Sequence, residues 1–333
     1  MASSQPSISK NIIVSGGARG IGRALARYFL EAGHRVYIFD ISEEELTYTT
    51  KTHLKKCYED GKVNSAVCDL RNVKEIRAKV SEAAKFFDNS IDVLVNNASI
   101  ASPYWKDGKT MEDADTFDEW KAYIDTNLTS AFAMSQACIP FMKFRQSDAD
   151  DGAHRIHGAG PCIIHIGSFR AHTSDPNQEG YAASKAGQLG LMQAMSISLG
   201  HLGIRTNLVA PGRIKVAHEC KEGDEKGQDW AGQVSEKDVD DHPTNRAGRP
   251  KDIADACLYL IEAGFVNGVG VLDIFVCVKL TSPQARYNRR WRSAEEEELD
   301  RFLGASRYAC GRATEIWDRF YGHKESCWHV SEP

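Results

Sequence analysis

Residues 11–22 read Asn-Ile-Ile-Val-Ser-Gly-Gly-Ala-Arg-Gly-Ile-Gly, an apolar run that stops in a cluster of glycines. The apolar run is typical of a buried β-strand, and the spacing of apolar residues after the glycines predicts a helix. Gly16, Gly20 and Gly22 stand between the two, where the strand must turn tightly and a Cβ would clash. This stretch therefore predicts a strand–turn–helix unit at the start of an α/β domain.

The same alternation of strand-like runs and helical stretches continues to about residue 278. Because the runs are apolar without clear alternation, they suit strands that are covered on both faces. The sequence predicts an α/β, single-domain Rossmann fold, in which a doubly wound parallel sheet of about seven strands has helices on both faces. The further strand-like runs are residues 35–40, 63–68, 91–95, 162–166 and 204–209.

Composition divides the chain into three parts: a polar N-terminal segment (1–10), the α/β domain (11–278) and an atypical C-terminal extension (279–333). The extension is rich in tryptophan and charge. It is interpreted either as a poorly ordered or weakly helical tail or as a partner-binding segment. Two polar, glycine-containing stretches inside the domain are expected to be a surface loop (147–160) and a mobile excursion that covers substrate (219–241).

The chain carries a net charge of -5, which argues against nucleic acid as a partner. It has no apolar run long enough to span a membrane and no apolar signal core near its start, so we expect no membrane partner. Its nine cysteines are scattered singly, without the spacing of a disulfide framework or a zinc site. These features predict a cytoplasmic protein without a metal site.

The glycine turn also suggests a ligand. The first N–H groups of the following helix are free to bind phosphate, and the helix dipole favours negative charge there. Asp40 ends the second strand, where a carboxylate can accept hydrogen bonds from ribose hydroxyls and would repel a 2′-phosphate. NAD(H) is therefore the favoured cofactor. Arg19 in the turn could instead pair with a phosphate, which keeps NADP(H) as the alternative.

Tyr181 and Lys185 lie four residues apart, so they share one face of a helix. A nearby ammonium stabilises a phenolate, which lets Tyr181 give a proton to a carbonyl oxygen or take one back. Ser168 follows the strand 162–166 at the sheet edge where such folds bind ligands, and it can polarise the carbonyl. The amide of Asn127 could hold a water molecule that links Lys185 to solvent.

These motifs, together with Asp69-Leu70, Asn96-Asn97-Ala98 and Pro211-Gly212, resemble the classical short-chain dehydrogenase/reductase family over about residues 10–275. The resemblance implies Asn127, Ser168, Tyr181 and Lys185 as the catalytic residues. It also implies assembly into a homodimer or homotetramer through long helices. The residues expected to bind the cofactor are Gly16, Arg19, Gly20, Ile21, Gly22, Asp40, Asp69, Leu70, Asn96, Tyr181, Lys185, Pro211, Gly212 and Ile214.

The sequence departs from the family pattern at three places. Ser99 replaces a glycine, and Val216 stands where a threonine commonly contacts the nicotinamide. The last strand lacks its usual Gly-Gly turn. The loss of pattern near Gly268 leads to the hypothesis that the gene model leaves the authentic frame there, which sequencing of the transcript would test.

Together these features predict an NAD(P)-dependent oxidoreductase that transfers a hydride between nicotinamide and a ketone or secondary alcohol, with a small-molecule substrate. A specialised biosynthetic pathway is one setting for it, because aromatic residues near the site fit a cyclic or polyketide-like substrate. The alternative is a weakly active or inactive dinucleotide-binding sensor or scaffold that uses its tail for partners. The residues expected near the substrate are Ile100, Tyr104, Trp105, Phe169, Arg170 and His172.

Overall fold

The computed structural model describes residues 9–142, 159–240, 242 and 244–271. Within these residues, seven strands form one parallel sheet. The strands are β1 (Asn11–Ser15), β2 (Arg35–Asp40), β3 (Val63–Val67), β4 (Val93–Asn96), β5 (Cys162–Ile166), β6 (Arg205–Val209) and β7 (Gly270–Val271).

Helices connect the strands, as parallel pairing requires. The described α-helices are α1 (Gly20–Glu31), α2 (Glu43–Tyr48), α3 (Lys55–Glu59), α4 (Val73–Phe86), α5 (Thr116–Tyr123), α6 (Ser130–Cys138), α7 (Glu179–Ser198), α8 (Lys221–Glu225), α9 (Glu236–Asp240) and α10 (Pro250–Glu262). A π-helical turn, Ile124–Thr129, joins α5 to α6.

The strand order is β3-β2-β1-β4-β5-β6-β7, so the winding of the sheet reverses beside β1. Ser15 at the end of β1 pairs with Phe39 on one side and with Asn96 on the other. In open α/β sheets, ligands bind outside the carboxyl ends of the strands at such a reversal. The glycine turn leaves β1 at this point.

The five inner strands are almost wholly buried, whereas the edge strands β3 and β7 are only partly buried. In β1, Ile12 and Val14 pack into one apolar cluster with residues of α1 and α10. Ile13 packs into a second cluster with residues of α4 and α6. Because successive side chains of a strand point to opposite faces, helices cover the sheet on both sides. The predicted doubly wound fold is confirmed, and most strand bounds agree to within one or two residues.

Parts of the sequence prediction lie outside the described residues. They include most of the N-terminal segment (1–10), most of the inserted loop (147–160) and the whole extension (279–333). The domain boundary at 278 and both interpretations of the tail therefore stay predictions. The last described strand, β7, does pair in parallel with β6.

Candidate functional site

The turn after β1 is packed too tightly for side chains. A Cβ on Gly16 would lie 2.6 Å from Ala98 Cα, and a Cβ on Gly22 would lie 2.0 Å from the backbone oxygen of Gly16. Gly16 also has a φ of +63°, in the region that favours glycine. Glycine at these two positions therefore lets the turn pack directly against the loop after β4 and the start of α1.

Asn97, rather than Asn96, braces this turn. Its Nδ2 donates to the backbone oxygens of Ser15 at 3.2 Å and Gly16 at 2.8 Å. The side chain of Asn96 is buried on the other side of β4, where its Nδ2 donates to Ser135 Oγ over 3.0 Å. Any contact of Asn96 with a ligand at the turn would therefore come from its backbone. Successive side chains along a strand point to opposite faces, and this alternation could have predicted that only one of the two asparagines faces the turn.

Asp40 lies beside the turn, with its carboxylate fixed by two backbone donors. Oδ2 accepts from the N–H of Ala18 at 3.0 Å and Oδ1 from that of Ser42 at 3.1 Å. A carboxylate has about four lone-pair sites, so it can accept further hydrogen bonds. Arg19 is exposed in the turn, and its charge acts on Glu222. Asp40 thus lies at the turn, as predicted, and Arg19 has the carboxylate of Glu222 nearby.

The Asp69-Leu70 pair follows β3. Asp69 accepts from Arg71 Nε at 3.0 Å and Nη2 at 2.8 Å, and these bonds hold the pKa of Asp69 below its usual value. The side chain of Leu70 is buried in the core. The carboxylate expected near an adenine is therefore already paired with a neighbouring guanidinium.

The segment after β6 runs past the same edge of the sheet. The backbone oxygen of Pro211 accepts from the N–H of Phe169 at 3.2 Å, which ties the two loops together. Gly212 follows, and Ile214 forms an isolated parallel bridge with Gly248. Pro211, Gly212 and Ile214 thus lie on a loop that is fixed beside the end of β5.

Further along, this segment meets the glycine turn itself. The N–H of Gly20 donates to the backbone oxygen of Glu219 over 2.6 Å. The next N–H groups, those of Ile21 and Gly22, belong to the first turn of α1 and have no intrahelical carbonyl. The start of α1 therefore keeps N–H groups that can bind an anion, although the N–H of Gly20 is already bonded to Glu219.

A buried ion network, which the sequence did not reveal, joins α1 to this segment. Arg23 Nε donates to Glu219 Oε2 at 2.9 Å, with side chains 1% and 4% exposed. Arg23 also binds Asp224 at 2.7 Å and the backbone oxygen of His218 at 2.8 Å. The one signal in the sequence was an arginine on the apolar face of a helix, whose partners lie far along the chain.

Ser168 and Tyr181 come together at the carboxyl end of β5. The hydroxyl of Ser168 accepts from the backbone N–H of Arg170 at 3.2 Å, and it lies near enough to the phenol of Tyr181 to act on its pKa. Burial raises the pKa of Tyr181, whereas the neighbouring Ser168 hydroxyl and the charge of Arg170 lower it, with a net pKa above the usual value. Arg170 itself is paired with Asp175.

Lys185 lies one turn further along α7. Its Nζ is 5.7 Å from the ring centroid of Tyr181 and donates to the backbone oxygen of Ile166 at 3.0 Å. It also donates to Oε1 of Gln188 at 3.2 Å. Burial lowers the pKa of Lys185 to about 7. The structure thus brings Lys185 to the tyrosine, while its ammonium is bound to the strand beneath.

Asn127 is buried in the π-helical turn, with a protein partner at each end of its amide. Oδ1 accepts from the N–H of Ile100 at 2.8 Å, and Nδ2 donates to Ser184 Oγ at 3.0 Å. The water that this amide was expected to hold, linking Lys185 to solvent, stays a prediction. A direct connection between the two residues runs through Gln188, which donates to the backbone oxygen of Asn127.

An aromatic stack supports Tyr181 from the side. The ring of Tyr123 lies edge-on to Tyr181 with centroids 6.3 Å apart, and Trp105 lies 5.8 Å beyond it. A Cβ on Gly180 would come within 2.6 Å of Tyr123 and 2.8 Å of Trp105. Trp105 was expected near the substrate, but it is buried in this stack, where it helps to place the first turn of α7.

Other features of the described residues do not involve the four predicted catalytic residues. A cavity of about 360 Å³ lies against α1 and the start of α10, and its lining includes none of the four predicted catalytic residues. Among the described residues, no group of three or more His, Cys, Asp or Glu side chains is arranged to hold a metal ion. In the same part of the chain, no helix has the length and apolar character needed to cross a membrane.

The sequence resembles known proteins over most of its length. The profile of a family described as Enoyl-(Acyl carrier protein) reductase matches residues 16–272. An uncharacterized oxidoreductase of Thermotoga maritima is 32% identical over 275 residues, which cover 81% of this chain and 97% of that protein. The 3-oxoacyl-(acyl-carrier-protein) reductase FabG of Chlamydia trachomatis is 32% identical over 258 residues, 77% of this chain and 92% of that protein.

A solved structure resembles the described fold. It is that of a single-substitution variant of actinorhodin polyketide ketoreductase with NADPH. The TM-score is 0.61 at 28% sequence identity, and the match covers 79% of this chain and 94% of the other.

Proposed function

This chain is a member of the classical short-chain dehydrogenase/reductase family, and from that premise we propose that it reduces a ketone, or oxidises the corresponding secondary alcohol, with Tyr181 moving the proton. The observation that carries the proposal is that the hydroxyl of Ser168 lies near the phenol of Tyr181 at the end of β5, with Lys185 Nζ 5.7 Å from the tyrosine ring. A hydroxyl, a phenol and an ammonium at one sheet edge are suited to a carbonyl that gains a proton.

Each residue has a distinct part in this proposal. Ser168 binds the substrate oxygen and holds it against Tyr181. In reduction, Tyr181 gives its proton to that oxygen as the carbonyl carbon gains a hydride, and in oxidation it takes the proton back. The ammonium of Lys185 stabilises the phenolate left behind. The Tyr123–Trp105 stack limits the tilt of the phenol ring.

Members of the family use NAD(P), which supplies or accepts the hydride when bound. The residues at the turn fit such a group, because Gly16 and Gly22 have no space for a Cβ and the first N–H groups of α1 are available. We infer a preference for NAD(H). Asp40 lies at the turn and would repel a 2′-phosphate.

The substrate class follows from the relatives. One is named a reductase of 3-oxoacyl groups, and the structural neighbour is named a polyketide ketoreductase. We therefore propose a ketone substrate, with an oxoacyl or cyclic ketone as the first choice. The setting in a specialised pathway, the cytoplasmic location and the homodimer or homotetramer stay predictions.

Consumption of reduced nicotinamide tests the proposal. Purified protein is mixed with NADH or NADPH and a panel of oxoacyl thioesters and cyclic ketones, and the absorbance of the reduced cofactor is followed. We expect ketone-dependent oxidation that is faster with NADH. Tight binding of NADH without oxidation by any ketone would instead favour the sensor or scaffold.

A further inference from the structure

A buried polar side chain that the proposed mechanism does not use lies next to Lys185. Gln188 is three residues further along α7 and is 1% exposed. Its Nε2 donates to the backbone oxygen of Asn127 over 2.6 Å, and its Oε1 accepts from Lys185 Nζ over 3.2 Å. The amide therefore forms a direct bridge from Lys185 to the π-helical turn.

We propose that Gln188 is a positioning residue whose amide fixes the ammonium of Lys185 between β5 and the π-helical turn. The inference rests on the proposed function, because it assigns Gln188 a part in the reaction of Tyr181 and Lys185. Gln188 is proposed to set the position of the ammonium and to stabilise its charged form. Gln188 itself touches neither substrate nor cofactor.

The N–H donors of the Lys185 ammonium are matched by fixed oxygen acceptors. An ammonium has three N–H donors and no acceptor. In Lys185, one donor is bound by the backbone oxygen of Ile166 at 3.0 Å and one by Gln188 at 3.2 Å. Both fixed acceptors are neutral, so they orient the ammonium without cancelling its charge.

The amide differs from a water molecule in what it can pass on. A water between Lys185 and the oxygen of Asn127 could accept one proton and release another. The N–H groups of an amide donate hydrogen bonds but do not titrate in this range. Gln188 therefore holds Lys185 in place without itself relaying a proton.

Because Lys185 is buried, its ammonium needs a hydrogen-bond acceptor from the protein. Burial lowers the pKa of Lys185 to about 7, so its charged form needs support near neutral pH. The titratable groups beside it are Tyr181 on α7 and His165 on β5. Burial and the charge of Lys185 lower the pKa of His165 to about 4, so this ring is neutral there. Gln188 supplies the side-chain oxygen that stabilises the ammonium.

Two substitutions test the bridge. Gln188→Met keeps the length of the side chain and removes both hydrogen bonds, whereas Gln188→Glu puts a carboxylate against the ammonium. Gln193→Met, on the exposed side of the same helix, is the matched control. The rate of carbonyl reduction is measured against pH for each protein, because this rate falls once the Tyr181–Lys185 pair loses its first proton.

We expect Gln188→Met to move that fall to lower pH and Gln188→Glu to move it to higher pH, each by about one pH unit, which is about a tenfold change in the equilibrium. For Gln188→Met, kcat should fall by about tenfold while the KM of the ketone changes little. Gln193→Met should follow the wild type. If the profile of Gln188→Met superimposes on that of the wild type, the inference is wrong.

A crystal structure of the protein without cofactor gives a readout that does not depend on activity. We expect the amide of Gln188 between Lys185 and Asn127, and a displaced lysine side chain in Gln188→Met. Gln188→Glu keeps the inference testable if Gln188→Met fails to fold. A fully active Tyr181→Phe protein would reject the proposed function, whereas a water in place of the Gln188 amide would reject the inference alone.

Discussion

Arg23 Nε lies 2.9 Å from Glu219 Oε2, and the two side chains are 1% and 4% exposed. Their positions are far apart in the sequence, yet the pair joins the helix after the glycine turn to the segment that follows β6. Buried charges are costly unless they are paired, so the two residues depend on each other. The contact fixes one wall of the proposed cofactor site.

Replacing Arg23 with methionine should therefore destabilise the protein strongly, because the buried Glu219 would keep only the partly exposed Arg27 as an arginine partner and Asp224 would lose both of its bonds to Arg23. We expect the free energy of unfolding to fall by about 3 kcal/mol, measured by urea denaturation. Arg27→Met is the control, since Arg27 also binds Glu219 but is 27% exposed. A loss from Arg23→Met no larger than that from Arg27→Met would contradict the account.

The glycine turn gives a second prediction. Gly16→Ala should lower stability by about 1–3 kcal/mol, because alanine would have to adopt a positive φ and meet Ala98. NADH affinity, measured by fluorescence, should be lost with it. Gly190→Ala is the matched control. A Cβ there meets nothing within 4 Å, and alanine should stabilise α7 by about 0.5–1 kcal/mol.

The cofactor preference depends on Asp40. In Asp40→Ala the carboxylate that would repel a 2′-phosphate is gone, so the affinity for NADPH relative to NADH should rise by about tenfold or more. Both affinities are measured by fluorescence titration. Wild-type protein that already binds NADPH more tightly than NADH would show that Arg19, rather than Asp40, sets the preference.

Asp238 makes stability depend on pH. Burial would raise its pKa, but hydrogen bonds from Ser235 and the ammonium of Lys215 lower it from 3.8 to about 2. Because the folded pKa is below the unfolded one, this stabilisation is complete above about pH 4 and is lost as the pH falls toward 2. It amounts to about 2 kcal/mol.

The variant Asp238→Asn should consequently lose less stability than the wild type on acidification from pH 4 toward pH 2. Denaturant unfolding at several pH values measures the difference. Equal losses in the two proteins would mean that this carboxylate has an ordinary pKa in the folded state.

Much of the fold could be predicted because it depends on local patterns. Apolar runs that end in glycine mark the strands and the turn after β1, and parallel pairing follows from the helices between them. The positions of Ser168 and Tyr181 could be predicted because both follow from the end of one strand and the start of one helix. Asp40 was found in the same way, at the end of β2.

The missed features depend on contacts that no local pattern encodes. Arg23 meets Glu219 only through the fold. Asn96 and Asn97 are chemically identical, and only the direction of β4 decides which one reaches the glycine turn. Gln188 has no charge and belongs to no motif, and its contact with the backbone oxygen of Asn127 is formed only by the fold. Such contacts can be identified only from the three-dimensional structure.

The most direct test of the central claim compares wild-type protein with Tyr181→Phe in two assays, NADH binding and ketone-dependent NADH oxidation. We predict that both proteins bind NADH with similar affinity and that turnover of Tyr181→Phe falls by about 100-fold or more, because the proton donor is gone. Turnover in Tyr181→Phe equal to that of the wild type would contradict the account.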